Sequence, residues 1–204
     1  MIKSLSAMAL VAALSLASPA LAHKAQPLPP VTSADRVMGR ADAPVTVVEY
    51  ASFTCGHCAR WHNETLPHFK ARYIDTGKVR LVFRDMPTPP IDLAATAAAV
   101  ARCAAPGRFF DVANSLMSGQ ATLYASRNPE PWYKAAIAAS GRTEQEIETC
   151  LGLPATAEAL TTDVQAAMDA GVTGTPSFFV NGSPVADHSM EALSAAIDPL
   201  VRGR

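Results

Sequence analysis

The sequence has no charge excess. Its 17 Lys and Arg nearly balance 18 Asp and Glu, for a formal net charge of −1 at pH 7. Such a balance gives no reason to expect nucleic acid or an anionic membrane surface as partner. Beyond residue 22 no apolar stretch is long enough to span a bilayer. There is no block of like charge and no internal repeat. Cysteine is scarce, with four among 204 residues. Haem attachment would need a histidine directly after Cys58, and Ala59 stands there. No cofactor is expected.

What is present begins with an export signal. Lys3 gives a positive start, Leu5 to Leu16 an apolar core, and Ala20-Leu21-Ala22 a small-x-small cleavage site. Residues 1–22 read as a secretory signal peptide cleaved after Ala22, with an uncleaved anchor as the alternative. Cleavage leaves about 180 residues, the size of one domain or one domain with an insertion. The four cysteines are then expected in a compartment that permits disulfides.

Residues 23–40 form a leader containing Pro27, Pro29 and Pro30, and Arg36 to Pro44 reads as a turn-rich approach to the fold. Val45 to Ala51 is apolar and β-branched except for Glu49, the pattern of a central strand covered on both faces. A helix is expected from Gly56 to Thr76, kinked at Pro67 and capped by Gly77. Val79 to Arg84 reads as a second, parallel strand of a right-handed βαβ unit. From Ile91 to Gly171 helix formers dominate. Breaks near Pro106-Gly107, Gly119 to Pro131, Gly141 and Gly152-Leu153-Pro154 divide them into four or five helices. Ser177 to Val180, the turn Asn181-Gly182 and Ser183 to Val185 make a hairpin. Met190 to Val201 closes with a helix. The expected division is residues 41–86 and 172–204 as one α/β domain, with 87–171 as an all-helical insertion.

Chemistry concentrates at Cys55-Gly56-His57-Cys58, after a strand and at a helix start. Free N–H groups and the helix dipole stabilise a thiolate at the first position, and the second sulfur lies on the same helix face. Cys55 is the expected nucleophile and Cys58 the buried resolving thiol. A static Cys55–Cys58 bridge is the alternative, but so small a loop stabilises little. His57 is expected either to donate a hydrogen bond toward the Cys55 thiolate or, protonated, to repel positive charge, in both cases favouring the reduced form and a more oxidising disulfide; otherwise it is simply an exposed helix-start histidine. Cys103 and Cys150 are expected to form a structural disulfide worth about 4 kcal/mol by loop entropy, with two buried free thiols as the alternative. A zinc site from Cys55, His57, Cys58 and His62 is disfavoured because neighbouring helical residues cannot all converge on a tetrahedron. Trp61, Phe69 and Tyr73 share helical spacing and read as core. His68 and His188 carry no readable signal.

With the far segment Gly171-Val172-Thr173-Gly174-Thr175-Pro176-Ser177-Phe178-Phe179-Val180 and the helical insertion, the chain resembles the DsbA-like periplasmic thiol:disulfide oxidoreductases. The resemblance covers roughly Val45 to Val201. It implies an α/β thioredoxin-like fold with a central β-sheet and an all-helical insertion. It also implies a cis bond before Pro176, with the Thr175 backbone facing Cys55 to bind an extended substrate peptide, against an ordinary trans-proline at a strand start. Glu49 becomes a buried acid that relays a proton to or from Cys58, against a surface ion pair with Arg84. The implied partners are exported cysteine-containing client proteins and a membrane DsbB-type protein that reoxidises the dithiol. The Gly-His dipeptide departs from the Pro-His of the best-known DsbA proteins and matches eukaryotic protein disulfide isomerases. An isomerase or reductase therefore stands as the alternative, and a metal- or peptide-binding module as a third reading. The short Pro-rich leader favours a monomer, since isomerases of this kind usually assemble through an N-terminal extension.

Overall fold

The computed structural model describes residues 26–202; the signal-peptide reading lies outside them. Five strands form one sheet in the order β1-β3-β2-β4-β5. They are β1 (Arg36–Met38), β2 (Val45–Ala51), β3 (Val79–Asp85), β4 (Ser177–Val180) and β5 (Ser183–Pro184). β2 lies parallel to β3, with Val45 opposite Val79 and Ala51 opposite Asp85. It lies antiparallel to β4, with Val47 opposite Val180 and Tyr50 opposite Ser177. Six of the seven β2 residues are buried, which explains the unbroken apolar run. β4 and β5 join through Asn181 and Gly182, at φ 47° and 84°. Two successive positive φ values are what a tight hairpin requires, and Asn-Gly tolerates them.

The sheet places alternate residues on opposite faces. Val45, Val47, Leu81 and Phe178 pack under Trp61, Phe69 and Tyr73 of the first helix and Leu193 and Ile197 of the last. Val48, Tyr50, Val82 and Phe179 face the other way, toward Ala167, Val172 and the N-terminal residues Leu28 and Val31.

The first helix, α1, runs over residues 56–74, with π turns at Trp61–Thr65 and Lys70–Ile74. Pro67 was expected to kink it. At that point Leu66 N–H bonds back to Trp61 O across the wide turn just ahead of the proline. Widening that turn accommodates a residue that lacks an N–H and crowds the preceding carbonyl.

Between β3 and β4 lie α2 (Ile91–Arg102), α3 (Phe109–Ser126), α4 (Glu130–Ala139), α5 (Glu144–Leu151) and α6 (Pro154–Asp169); α7 is Met190–Arg202. Gly119 was read as part of a break, but α3 passes through it. A Cβ there would lie 2.8 Å from Trp132 Cδ1, so glycine lets α4 pack close. Trp132 Nε1 then donates to Leu116 O at 2.8 Å. Thr143 and Glu146 cap α5 reciprocally. Cys103, at the end of α2, is bonded to Cys150 on α5, with Cα atoms 5.9 Å apart.

The leader also differs from its loose reading. β1 pairs antiparallel with β3. Arg84 donates to Asp35, to the Pro29 and Pro30 carbonyls and to the Tyr50 hydroxyl. Gln26 N–H bonds to Asp169 O at 2.8 Å. Asp35 is drawn below the usual carboxylate range by its Arg84 and Thr32 hydrogen bonds, which outweigh burial.

Candidate active site

β2 delivers the chain to the site, and the loop Ser52-Phe53-Thr54 turns it into α1. Ser52 Oγ meets Thr54 Oγ1 at 3.0 Å and accepts from Thr88 N–H at 3.1 Å; Thr54 Oγ1 donates to Thr88 O at 2.9 Å. Cys55 stands at the helix entry with extended backbone angles, and its N–H donates to Ser52 O at 3.1 Å. Its sulfur is half-buried and lies 3.2 Å from Thr175 O. The Thr175–Pro176 bond is cis, as is Pro89–Pro90.

The two thiols are unbridged and unlike. Cys58 is fully buried. The Cys55 thiol is lowered to about 5: a hydrogen bond from the Cys58 thiol acts most strongly, joined by the Thr175 side chain and the backbone N–H groups of Cys58 and His57, against the opposing effect of burial. Two Thr175 oxygens must be distinguished. Its carbonyl accepts only from a protonated Cys55, whereas Oγ1, buried without another partner, can donate to the thiolate. Burial pushes the Cys58 thiol far up, helped by its bond to Cys55 and by the Glu49 charge.

Glu49 lies on the α1 face of β2 and is completely buried. The surface ion pair with Arg84 is therefore not formed; Arg84, the next but one residue of β3 after Val82, turns to Asp35 instead. The partner of Glu49 is His62, whose Nε2 lies 3.1 Å from each carboxylate oxygen. His62 sits in the first π turn of α1 and is itself buried. It was considered only as a metal ligand. Among the described residues no three His, Cys, Asp or Glu side chains converge as a metal site.

His57 is exposed, and its ring stands 5.8 Å from that of His188, edge to face. The sequence held no signal for His188, because the turn before α7 brings it to the site only in three dimensions. Gln120 and Tyr124 of α3 also reach the loop and were missed. Gln120 Nε2 donates to Phe53 O at 2.9 Å and Cys55 O at 3.2 Å, and Tyr124 Oη donates to Thr54 O at 2.6 Å.

A half-exposed, acidic thiol above a buried partner, beside a cis-proline loop, is dithiol–disulfide chemistry on a thioredoxin-like fold. The family model described as Thioredoxin matches residues 31–199, and the chain belongs to that family. A protein-disulfide oxidoreductase of Rickettsia bellii is 33% identical over 172 residues, covering 82% of this chain and 64% of the relative. The chain thus spans just under two thirds of the length of that relative. Disulfide bond formation protein D of Bacillus cereus is 29% identical over 175 residues, covering 81% and 78%. Among solved structures, Wolbachia pipientis alpha-DsbA1 superposes with a TM-score of 0.74 at 23% identity, covering 85% of this chain and 94% of that one. BdbD from Bacillus subtilis gives 0.77 at 21%, covering 88% and 99%. Both share the fold, helical insertion included. No helix among the described residues is long and apolar enough to cross a membrane.

Proposed function

We propose that the chain is an exported, monomeric thiol:disulfide oxidase that works in the periplasm and donates the Cys55–Cys58 disulfide to cysteine-containing client proteins. The observation that carries this is the inequality of the two sulfurs: Cys55 is half-buried at the helix entry, 3.2 Å from the Thr175 carbonyl of the cis-proline turn, while Cys58 is fully buried. A thiolate stabilised at Cys55 stabilises the reduced protein, and a stabilised reduced form makes the disulfide a strong oxidant.

A client thiolate attacks the Cys55 sulfur. The Cys55–Cys58 bond breaks, its electron pair goes to Cys58, and Cys58 takes up a proton. The client's second thiolate then attacks the client sulfur of the mixed disulfide and expels Cys55 as a thiolate. A low-pKa sulfur leaves fast, so the second step favours release of the oxidised client. A DsbB-type membrane partner is the reading for reoxidation. The Thr175 carbonyl beside Cys55 supports an extended client backbone docking there.

An isomerase kept reduced is the second reading, favoured by the Gly-His dipeptide. The packing of residues 26–38 onto their own sheet speaks against it, because that segment is not free to serve as an assembly arm. Equilibration with glutathione buffers, together with the redox state in cells, tests the choice. An oxidase has a potential well above the about −270 mV of thioredoxin and is found oxidised. A potential near that value, in a protein found reduced, overturns the proposal.

A further inference from the structure

The redox loop is held from above by the helical insertion. The carbonyls of Phe53, Thr54 and Cys55 are consecutive, and all three accept hydrogen bonds from α3. The donors, Gln120 and Tyr124, are four residues apart and so share one helix face. Gln120 is buried, with 3% exposure, inside a layer that is otherwise almost wholly apolar. A carboxamide in such a place is costly unless its N–H groups are used, and both of its contacts here are to the loop. We propose that Gln120 and Tyr124 are positioning residues, which hold the Cys55 peptide at the angle that makes its thiol reactive. The inference rests on the dithiol reading above.

The physical link runs through the Cys55 carbonyl. It accepts from Ala59 N–H at 3.0 Å, in the first turn of α1, as well as from Gln120. Two donors on one carbonyl fix the plane of the Cys55–Gly56 peptide. That plane aims the N–H groups of His57 and Cys58, which help to hold the Cys55 thiolate. Tyr124 fastens the preceding peptide. Its phenol is pushed above its ordinary value, first by burial and then by negative charge on Cys55, which places the ring within electrostatic reach of the sulfur. The insertion thereby acts on thiol reactivity through the backbone of the loop.

The titratable groups around Cys55 are Cys58 and His57 on α1, Glu49 on β2, His188 before α7 and Tyr124 on α3. Of these, Tyr124→Phe removes only a hydroxyl, and Gln120→Met removes only the amide at nearly constant length. The test is the thiolate absorbance of the reduced protein against pH, with the glutathione equilibrium measured in parallel. Gln120→Met should raise the Cys55 midpoint and shift the equilibrium toward the disulfide by about fivefold, the size of one lost hydrogen bond. Tyr124→Phe should shift both the same way by a smaller factor. Asn63→Ala serves as the comparison. It removes a different α1–α3 hydrogen bond, from Asn63 Nδ2 to Met117 O at 3.2 Å, away from the loop. It should lower the melting temperature and leave the midpoint in place. Wild-type midpoints in both α3 variants, with or without a lowered melting temperature, would overturn the inference. If Gln120→Met does not fold, Tyr124→Phe decides. No client protein enters the titration, so a wild-type protein that fails to oxidise clients would sink the oxidase reading and leave this result standing.

Discussion

His62 Nε2 stands equally close, at 3.1 Å, to both oxygens of Glu49, and neither side chain meets solvent. A charge buried so deeply needs a partner, and the imidazole is the partner present. The Cys58 thiol is pushed upward first by burial, then by its bond to Cys55 and by the nearby Glu49 charge. A carboxylate near Cys58 is positioned for the proton-relay role proposed for Glu49. Glu49→Gln should slow Cys58-dependent resolution of a Cys55 mixed disulfide by about tenfold or more at neutral pH, the low end for a lost general base. Single-turnover release of a trapped thiol compound measures this. Release at the wild-type rate would reduce Glu49 to a structural role.

Removing the imidazole is a matter of stability. His62→Leu strands a buried carboxylate and should cost about 3 kcal/mol. Adding Glu49→Leu should recover most of the loss, because both members of the pair are then apolar. Denaturant unfolding of the two variants checks the coupling. Equal stability of the single and double variants would show that His62 does not balance the Glu49 charge.

The acidic thiol makes stability depend on both pH and redox state. Cys55 has its folded-state value lowered from about 9 to about 5. The reduced folded protein thus loses its proton before the unfolded chain does, and its stability rises between those values as pH rises. The contribution is complete above about 9 and is lost as pH falls through about 5. The disulfide form lacks this term. Melting temperatures of the two forms should converge near pH 5 and separate, with the reduced form the more stable, by pH 8. A separation that is the same at both pH values would contradict the low thiol value.

Thr175 Oγ1 is buried and has no hydrogen-bond partner, so it is free to donate to a Cys55 thiolate. Thr175→Val keeps the shape and removes the donor. It should raise the Cys55 midpoint and make the disulfide less oxidising by a few-fold. Thiolate absorbance and glutathione equilibration both report it. No change in either would leave the backbone N–H groups and Cys58 as the effective stabilisers.

The Cys103–Cys150 bridge closes a separation of 47 residues. Replacing both cysteines by alanine should lower stability by about 4 kcal/mol. The thiolate midpoint of Cys55 should stay unchanged, since the bridge does not touch the redox loop. Urea unfolding and thiol titration separate the two effects.

Much of this architecture is legible where the physics is local. β2 is an apolar run because both its faces are covered, and Asn181-Gly182 turns because both residues accept positive φ. β1 is not legible. It has three residues, one of them exposed, and it is a strand only because β3 offers it an edge. The π turn ahead of Pro67 is not legible either, because a proline inside a helix can be met by a kink or by a widened turn. Gly119 looks like a helix break until Trp132 is seen against it. Of the site, the cysteines and the proline announce themselves by spacing. Glu49 shows as an acid in an apolar strand, but its partner His62 is 13 residues away in sequence, and no periodicity links them. Gln120 lies 65 residues from Cys55, and only packing brings them together.

The sheet's connectivity separates the two halves of the site along the chain. β2 pairs with β3 across one helix, but β4, which carries Thr175 to Cys55, arrives only after the whole helical layer. Closing so long a connection is entropically slow. The Cys103–Cys150 bond lies within that connection and shortens the effective path between β3 and β4. The bond that braces the insertion thus also draws together, along the chain, the two halves of the redox site: the Cys55 loop after β2 and the Thr175 turn before β4.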